Sequence, residues 1–374
     1  MQKAINIDAV RTALAQHGLT QQQLATRIGV SSQAVTNWLK GKDFPRPPAL
    51  LKLATILKLG YEQLVQMPDE GRPVVAFRKK GNAKTTAEHI AKASSIGMLL
   101  KPLVPYLPEI QALRTLITSP SADCPKLEVA VAQTRTRLGI GEHAVLGYEH
   151  LISEFKDSGA VLVPVLWGAK GNHENALHIR LPKEDVTFIF LNLDTRLEDF
   201  KFWMAHELAH VYTPDLAGSN EGEDFADAFA GALLFPKACA EPAYREASQA
   251  GRADGIIRVL QTHADAHAIS LNTVYQQIKH FAKCSGLPAL NVEESAVHAA
   301  RNTHQGALVS EALFDPMPPE PKRYIAACEH TFKSDFFAAL KRMIHENGTG
   351  PSYIQQILNT SLRDAVAIHE ELRH

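Results

Sequence analysis

Two histidines and a glutamate lie close together in the stretch His206-Glu207-Leu-Ala-His210. The histidines are four residues apart, so on a helix both imidazoles project from one face, one turn apart. Two imidazoles in this arrangement can bind one Zn²⁺, and a carboxylate beside the first of them can take a proton from water at the metal. The spacing therefore predicts a zinc site at His206 and His210, with Glu207 as the catalytic acid/base.

The residues around this motif predict a buried helix. Apolar residues recur at intervals of three and four, as expected of a helix that packs one face on a core. They are Leu197, Phe200, Met204, Leu208 and Val211. The alternative is that both histidines lie on a solvated helix face and bind no metal.

A catalytic zinc needs a third protein ligand and keeps one position open. The segment 223–236 begins thirteen residues after His210, and its apolar spacing predicts a second helix. We assign Glu223 as the third ligand and expect Asp227, one turn on, to accept the outer N–H of a ligand histidine. An acidic helix start without a metal is the alternative. The competing carboxylates are Glu221 and Asp224.

The two motifs together, HELAH and EDFADAFAGALLFP, resemble the ImmA/IrrE family of zinc metallopeptidases. The resemblance covers roughly residues 125–238, and both motifs agree with the family pattern position by position. It implies a gluzincin-like metalloendopeptidase in which both histidines and Glu223 bind zinc and Glu207 is the general acid/base. Ala209 stands where the family usually has glycine.

Composition and charge limit the remaining possibilities. The chain has 374 residues, which suggests two or three domains, and its 45 % hydrophobic content is ordinary for a globular protein. The net charge of −1 restricts nucleic-acid contact to a local patch. We find no signal peptide and no apolar run that could span a membrane, so a cytoplasmic protein is expected, nucleoid-associated when bound to DNA. The cysteines lack paired spacing, which favours free thiols; they are Cys124, Cys239, Cys284 and Cys328.

Residues 1–66 read as five short helices. Thr20 should cap the second helix and Gly29 should end it, after which Ser31 caps the third. Two helices joined in this way form a helix-turn-helix signature. The string LTQQQLATRIGVSSQAVTNWLKGK is similar to the DNA-binding domains of lambda-type phage repressors and of the wider XRE family. The resemblance implies an operator duplex as a partner.

The third of these helices should present polar side chains to DNA. Gln and Asn can pair with adenine edges, Ser and Thr can contact either kind of base, and basic residues can contact phosphates. A helical interaction domain that binds no DNA is the alternative. The expected contact residues are Gln21, Ser32, Gln33, Thr36, Asn37, Lys40 and Lys42.

The whole chain is predicted to be α+β and mostly α. The expected order is the DNA-binding domain (1–66), a linker with one helical segment (67–124), the peptidase domain (125–238) and a helical C-terminal region (239–374). The peptidase domain should contain a small three-stranded sheet, and its last strand is a candidate edge for pairing with a substrate peptide. The expected strands are Ala160–Trp167, Ala176–Leu181 and Val186–Leu193.

Together with these features, the two resemblances imply a DNA-binding transcriptional regulator with a zinc endopeptidase domain that cleaves a repressor. The substrate is either a separately encoded helix-turn-helix repressor or the chain's own turn-rich segment Met67–Lys84, which can lie extended in the site. A homodimer is compatible with the sequence. No residue is firmly assigned to stabilise the oxyanion; Tyr212 is a candidate, although a core position is favoured.

The rival hypothesis is a transcription factor without proteolytic activity. Its peptidase fold would serve as a sensor or a dimerisation body, with zinc structural or absent. A closed structural site would need a fourth ligand, which Cys124 could supply as a latch. Glu207 discriminates between the two hypotheses, because a structural site has no use for a carboxylate at that position.

Overall fold

The computed structural model describes residues 4–41, 43–66, 72–76, 87–109, 115–168, 175–303 and 306–374. The chain divides into two compact units, Met1–Arg72 and Pro73–His374. Helices dominate both units, and the larger one also contains a small sheet, which confirms the predicted α+β, mostly α class. Among the described helices, none is long and apolar enough to cross a membrane.

The first unit is built from short helices around a small apolar core. Strands β1 (Ala4–Ile5) and β2 (Val65–Gln66) pair antiparallel and bring the two ends of the unit together. Buried Leu24, Val35 and Leu53 belong to the core. The helices described in this unit are α1 (Ile7–Gln16), α2 (Gln21–Ile28), α3 (Ser32–Leu39), α4 (Pro47–Leu57) and α5 (Tyr61–Leu64).

Local sequence determines the helix ends in this unit. The Thr20 hydroxyl accepts a hydrogen bond from the Gln23 amide at 3.2 Å, and the Gln23 side chain accepts one from the Thr20 amide at 2.9 Å. Gly29 ends α2 in the left-handed region at φ 86°, where glycine has no steric penalty. Helix α4 ends at Leu57 because Lys58 adopts the left-handed conformation.

The described residues of the second unit form a sheet of four strands, whereas the sequence predicts three. Strand β4 runs parallel to β6, whereas β3 and β6 both pair antiparallel with β5. The strands are β3 (Val74–Ala76), β4 (Ala160–Val165), β5 (Ala176–Leu181) and β6 (Val186–Asn192), in the spatial order β3-β5-β6-β4.

The prediction that the strand near Val186–Leu193 forms an edge is wrong. Strand β6 lies inside the sheet, and all seven of its residues are buried. Its nearly continuous apolar run is typical of an interior strand. Strand β3 lies at one edge, so part of the segment expected to be a linker contributes to the sheet of the larger unit.

Helices cover the sheet and form the rest of this unit. Helix α6 is followed by a 3₁₀ helix over Lys101–Tyr106, and another 3₁₀ helix, Pro214–Leu216, connects α9 to α10. The helices are α6 (Ala87–Leu100), α7 (Cys124–Arg137), α8 (Tyr148–Asp157), α9 (Leu197–Tyr212), α10 (Asn220–Leu234), α11 (Lys237–Ala250), α12 (Ala253–His267), α13 (Leu271–Cys284), α14 (Glu294–Thr303), α15 (Val309–Leu313), α16 (Pro321–His330), α17 (Phe336–Asn347), α18 (Pro351–Leu358) and α19 (Leu362–Arg373).

The C-terminal helices hold the first turns of α9 in place. Asp199 accepts two hydrogen bonds from the Arg301 guanidinium of α14, at 2.5 and 2.6 Å. Lys201, which is 2 % exposed, donates to the carbonyl of His267 at the end of α12, at 2.7 Å. A cation at that position also interacts favourably with the α12 dipole. The region 239–374 therefore helps to fix the helix that carries the HELAH motif.

The expectation of four free thiols is wrong. A disulfide joins Cys124 at the start of α7 to Cys284 at the end of α13, with 6.1 Å between the Cα atoms. The other two cysteines, Cys239 and Cys328, are free and buried. The bonded residues are 160 positions apart, so tertiary packing brings them together. The spacing of the cysteines in the sequence does not indicate this disulfide.

Candidate functional site

The three proposed metal ligands meet at one point of the larger unit. His206 and His210 lie on α9, and Glu223 lies in the first turn of the adjacent α10. The Nε2 atoms of the two histidines are 3.2 Å apart. The Glu223 carboxylate oxygens lie 3.5 Å from Nε2 of His206 and 3.3 Å from Nε2 of His210. All three side chains are buried.

These distances fit a single metal ion. Two ligand atoms that are each about 2.1 Å from a tetrahedral zinc ion are about 3.4 Å from one another. The separations of 3.2, 3.3 and 3.5 Å match that value. Within the described part of the chain, neither oxygen of Glu223 has a partner with good hydrogen-bond geometry. A buried carboxylate in this condition is costly, and a cation between the ligands would offset the cost.

The electrostatics of the site also favour positive charge. Burial disfavours the His206 imidazolium, but contacts with Asp227 and Glu223 outweigh burial and raise the pKa of His206 to about 9. Burial works against the Glu223 carboxylate as well, yet the two imidazoles lower the pKa of Glu223 to about 2. Both shifts mean that the carboxylates attract a cation, whether a proton or a metal ion, to the point between the imidazoles.

The first turn of α10 selects Glu223 among the neighbouring carboxylates. Glu221 and Asp224 are exposed and do not join the group of potential ligands. Asp227 lies one turn further on, with its Oδ1 atom 3.0 Å from Nδ1 of His206. It can accept the outer N–H there and leave Nε2 of that ring for a metal.

A glycine lets α10 start close enough to the site. The Ser219 hydroxyl caps this helix by accepting a hydrogen bond from the Gly222 amide at 3.0 Å. A Cβ atom at Gly222 would lie 2.2 Å from the carbonyl oxygen of Leu216, which is backbone and cannot move aside cheaply. Any larger residue would push apart the turn and the helix that positions Glu223.

Glu207 faces a histidine that the sequence analysis did not assign to the site. Its Oε2 atom is 3.5 Å from Nδ1 of His178 on β5, and both residues are buried. The His178 ring centroid also lies 5.6 Å from that of His210. Burial lowers the pKa of His178 in spite of the Glu207 carboxylate, so its imidazole is neutral at pH 7. The signal for this residue in the sequence is a histidine among apolar neighbours at an inward-facing strand position.

Tyr212 lies away from the site, in the core. Its hydroxyl donates to Oε1 of Glu154 at 2.6 Å. The Arg137 guanidinium pairs with the same carboxylate at 2.9 Å and stands 4.7 Å from the centre of the tyrosine ring. The Tyr212 hydroxyl is therefore engaged by Glu154 and Arg137, which agrees with the favoured core position.

Cys124 belongs to a second group of possible ligands, together with His280 and Cys284. Nε2 of His280 is 3.3 Å from Sγ of Cys284. The two sulfurs are bonded to each other, so neither is available as the thiolate that zinc requires. The predicted latch between Cys124 and the HELAH site is therefore wrong for this structure.

Most of the expected DNA-contacting residues lie together on the first unit. The Gln33 amide donates to Oδ1 of Asn37 at 2.9 Å, one turn along α3. The Thr36 hydroxyl donates to the carbonyl of Ser32 at 2.9 Å and lies 3.4 Å from Oε1 of Gln21 on α2. These contacts organise a continuous polar surface over two helices, opposite the buried face of α3.

The basic residues near this surface have different roles. Lys40 is exposed at the C-terminal end of α3, where it can reach a phosphate. Lys52 instead donates to the carbonyl of Ile28 at 2.9 Å and so caps the end of α2. Lys42, also predicted to contact DNA, lies outside the described residues.

Comparison with known proteins identifies the first unit. Residues 10–64 match the helix-turn-helix family, a span that includes α2 and α3. The first unit therefore contains an XRE-type helix-turn-helix domain, and the protein is a DNA-binding regulator. No curated protein matches the chain. The crystal structure of ComR from Streptococcus suis aligns over 98 % of this chain and 93 % of that one, at 10 % identity and with a TM-score of 0.15.

The assignment of Glu223 can be tested by measuring bound zinc. Wild-type protein should carry about one zinc per chain, and Glu223→Ala should lower the affinity about 100-fold or more, since even partners outside the ligand set contribute about 10–100-fold. Metal content after dialysis against a chelator measures this. Glu221→Ala, on the exposed side of the same turn, is the matched control. Zinc that survives Glu223→Ala but is lost in Glu221→Ala or Asp224→Ala would disprove the assignment.

Proposed function

We propose that this DNA-binding regulator is also a zinc-dependent endopeptidase of the ImmA/IrrE kind, and that it cleaves a repressor to relieve repression. The observation that carries the proposal is the meeting of His206, His210 and Glu223 in a buried site with Glu207 beside them. A structural zinc has four protein ligands, whereas a catalytic zinc has three and an open position. Among the described residues, no fourth His, Cys, Asp or Glu completes this group.

The residues around the site suit peptide hydrolysis. Zinc held by these ligands would supply Lewis acidity toward a peptide carbonyl and toward water. Glu207 would accept a proton from the attacking water as its oxygen adds to the carbonyl carbon. The C–N bond then breaks, and the amine leaves with the proton that Glu207 carried.

Two further side chains would position this chemistry. Neutral His178 can donate its Nδ1–H toward the Glu207 carboxylate and hold that carboxylate in place. Asp227 would fix the tautomer of His206 through the 3.0 Å contact with Nδ1. Both act through another residue and need not touch the substrate.

The fusion of the two units limits the choice of substrate. Any segment between them is held at high effective concentration near the site, which favours the chain's own segment Met67–Lys84. Residues 72–76 of this segment are described by the structure, and the rest lies outside the described residues. A separately encoded helix-turn-helix repressor is the other candidate substrate.

Glu207→Gln separates an enzyme from a sensor. The amide keeps the size of the side chain but cannot act as a base, so cleavage should fall about 10²–10⁴-fold while zinc content stays unchanged. Intact-mass analysis of zinc-loaded protein, alone and with a helix-turn-helix repressor, provides the measurement. Glu221→Gln, which is exposed on α10, is the matched control.

The products identify the substrate. An N-terminal fragment of about 70 residues, formed by wild type but not by Glu207→Gln, indicates self-cleavage at the connection. A chain that stays whole while the added repressor is cut rules out self-cleavage. Equal, chelator-sensitive cleavage by wild type and Glu207→Gln would contradict the mechanism. Zinc-loaded wild type that cuts neither protein would favour the non-proteolytic sensor.

Substitutions on α3 should separate sequence reading from general attraction to DNA. Gln33→Ala and Asn37→Ala should each cost about 1–3 kcal/mol at one operator position, because each removes contacts to a base edge. Lys40→Ala should weaken binding to all sequences alike and reduce the salt slope by about 1. Binding of residues 1–66 to duplexes over a range of salt concentrations measures both. A fragment without salt-sensitive binding to any duplex would contradict this assignment.

A further inference from the structure

Strand β3 occupies the sheet edge beside the candidate metal centre. It pairs antiparallel with β5, and its last residue, Ala76, lies opposite His178. His178 is the residue whose Nδ1 atom is 3.5 Å from the Glu207 carboxylate. Paired residues of neighbouring strands project to the same face, so Ala76 faces the same side as that histidine. The end of β3 is therefore one cross-strand neighbour away from the proposed acid/base.

Two glycines allow close packing around β3. A Cβ atom on Gly97 of α6 would lie 2.5 Å from Cβ of Pro73 and 3.0 Å from Cγ2 of Ile179, so α6 packs directly on the start of the strand. A Cβ atom on Gly218 would lie 3.0 Å from the carbonyl oxygen of Val75, and Gly218 belongs to the turn between α9 and α10. Strand β3 is thus closely packed between β5, α6 and the turn that joins α9 to α10. We call this position the seat of β3.

The seat is a place where an extended peptide could pair with this sheet. An extended peptide joins a sheet through an unpaired edge, which supplies backbone hydrogen bonds and aligns its carbonyl groups. The edge of β5 next to Glu207 and His178 has that position, but β3 already pairs with it. Consistent with a closed site, His206 is 1 % exposed and Glu207 is 4 % exposed.

We propose that Val74–Ala76 is a resident strand that closes the substrate-binding edge of β5, so that an extended peptide binds only after displacing it. The proposal rests on the proposed peptidase function and names how that site is regulated. The ligand class is an extended peptide segment with a small residue opposite His178. Ala76 now occupies that position and is 2 % exposed.

A double proline substitution, Val74→Pro with Val75→Pro, tests the proposal in the full-length, zinc-loaded chain. Successive amides of a strand point to opposite sides, so one of the two prolines must remove an N–H that faces β5. Val74→Thr with Val75→Thr is the matched control, because it keeps both amides and the β-branched shape. The readouts are hydrogen exchange of the amides of 176–181, zinc transfer to a chromogenic chelator, and cleavage of an unstructured peptide containing Val-Val-Ala.

The double proline variant should raise all three rates about tenfold or more, as expected for the loss of one or two strand hydrogen bonds, while the threonine control matches wild type. Unchanged exchange and unchanged zinc transfer would overturn the proposal, because β3 would then cover nothing. Faster exchange and zinc transfer without cleavage of the peptide would support the resident strand and reject the proposed peptidase.

Gly97→Ala keeps the test decisive if the double proline variant does not fold. It leaves the sequence of β3 intact, but its Cβ atom would push Pro73 out of the seat. The same increases in exchange and zinc transfer are expected. Met98→Ala, at an exposed position of the same helix, is the control. A folded Gly97→Ala protein whose β5 amides and zinc are as protected as in wild type would overturn the proposal.

Discussion

The geometry of the candidate site in the larger unit is governed by electron-pair donors that are buried close together. Two imidazole nitrogens and a carboxylate face one another at 3.2–3.5 Å inside the protein, next to a second carboxylate on Glu207. Such groups repel each other and lose their hydration on burial, so positive charge at the centre of the arrangement would stabilise it. The raised pKa of His206 and the lowered pKa of Glu223 have the same cause, because both shifts favour positive charge beside the carboxylate.

The surrounding fold satisfies this constraint by fixing two helices from opposite directions. The C-terminal region ties down the start of α9 through Asp199 and Lys201, although none of its described residues joins the group of His206, His210 and Glu223. Gly222 brings α10 close enough for Glu223 to reach the imidazoles. On the side of the sheet, β5 brings His178 to Glu207, and β3 covers the edge of β5. The position of Glu223 and the covering of β5 therefore depend on separate parts of the unit.

The features that the sequence predicted well are local ones. The caps at Thr20 and Ser31 follow from bonds that span three residues, and the shared face of His206 and His210 follows from the helical repeat. Glu223 could be distinguished from its neighbours only with difficulty, because its burial depends on how α10 packs against α9. In the helix-turn-helix domain, the predicted end of α2 at Gly29 agrees with the structure for the same local reason.

The features that the sequence missed depend on long-range pairing. Strand β3 is three residues long and lies in a turn-rich segment. Its extended conformation depends on pairing with β5, which is about a hundred residues away. His178 gains its role from contact with a helix about thirty residues away, and the disulfide joins the ends of two distant helices. The interior position of β6, by contrast, could have been predicted, because its apolar run does not alternate with polar residues.

X-ray absorption at the zinc edge, measured on the full-length protein, tests the central claim most directly. The account predicts one zinc per chain in a shell of nitrogen and oxygen at about 2.0–2.2 Å, with no sulfur, as two imidazoles and Glu223 would provide. A sulfur shell at about 2.3 Å would place the metal at Cys124, His280 and Cys284 instead. That result, or protein that binds no zinc at all, would contradict the account.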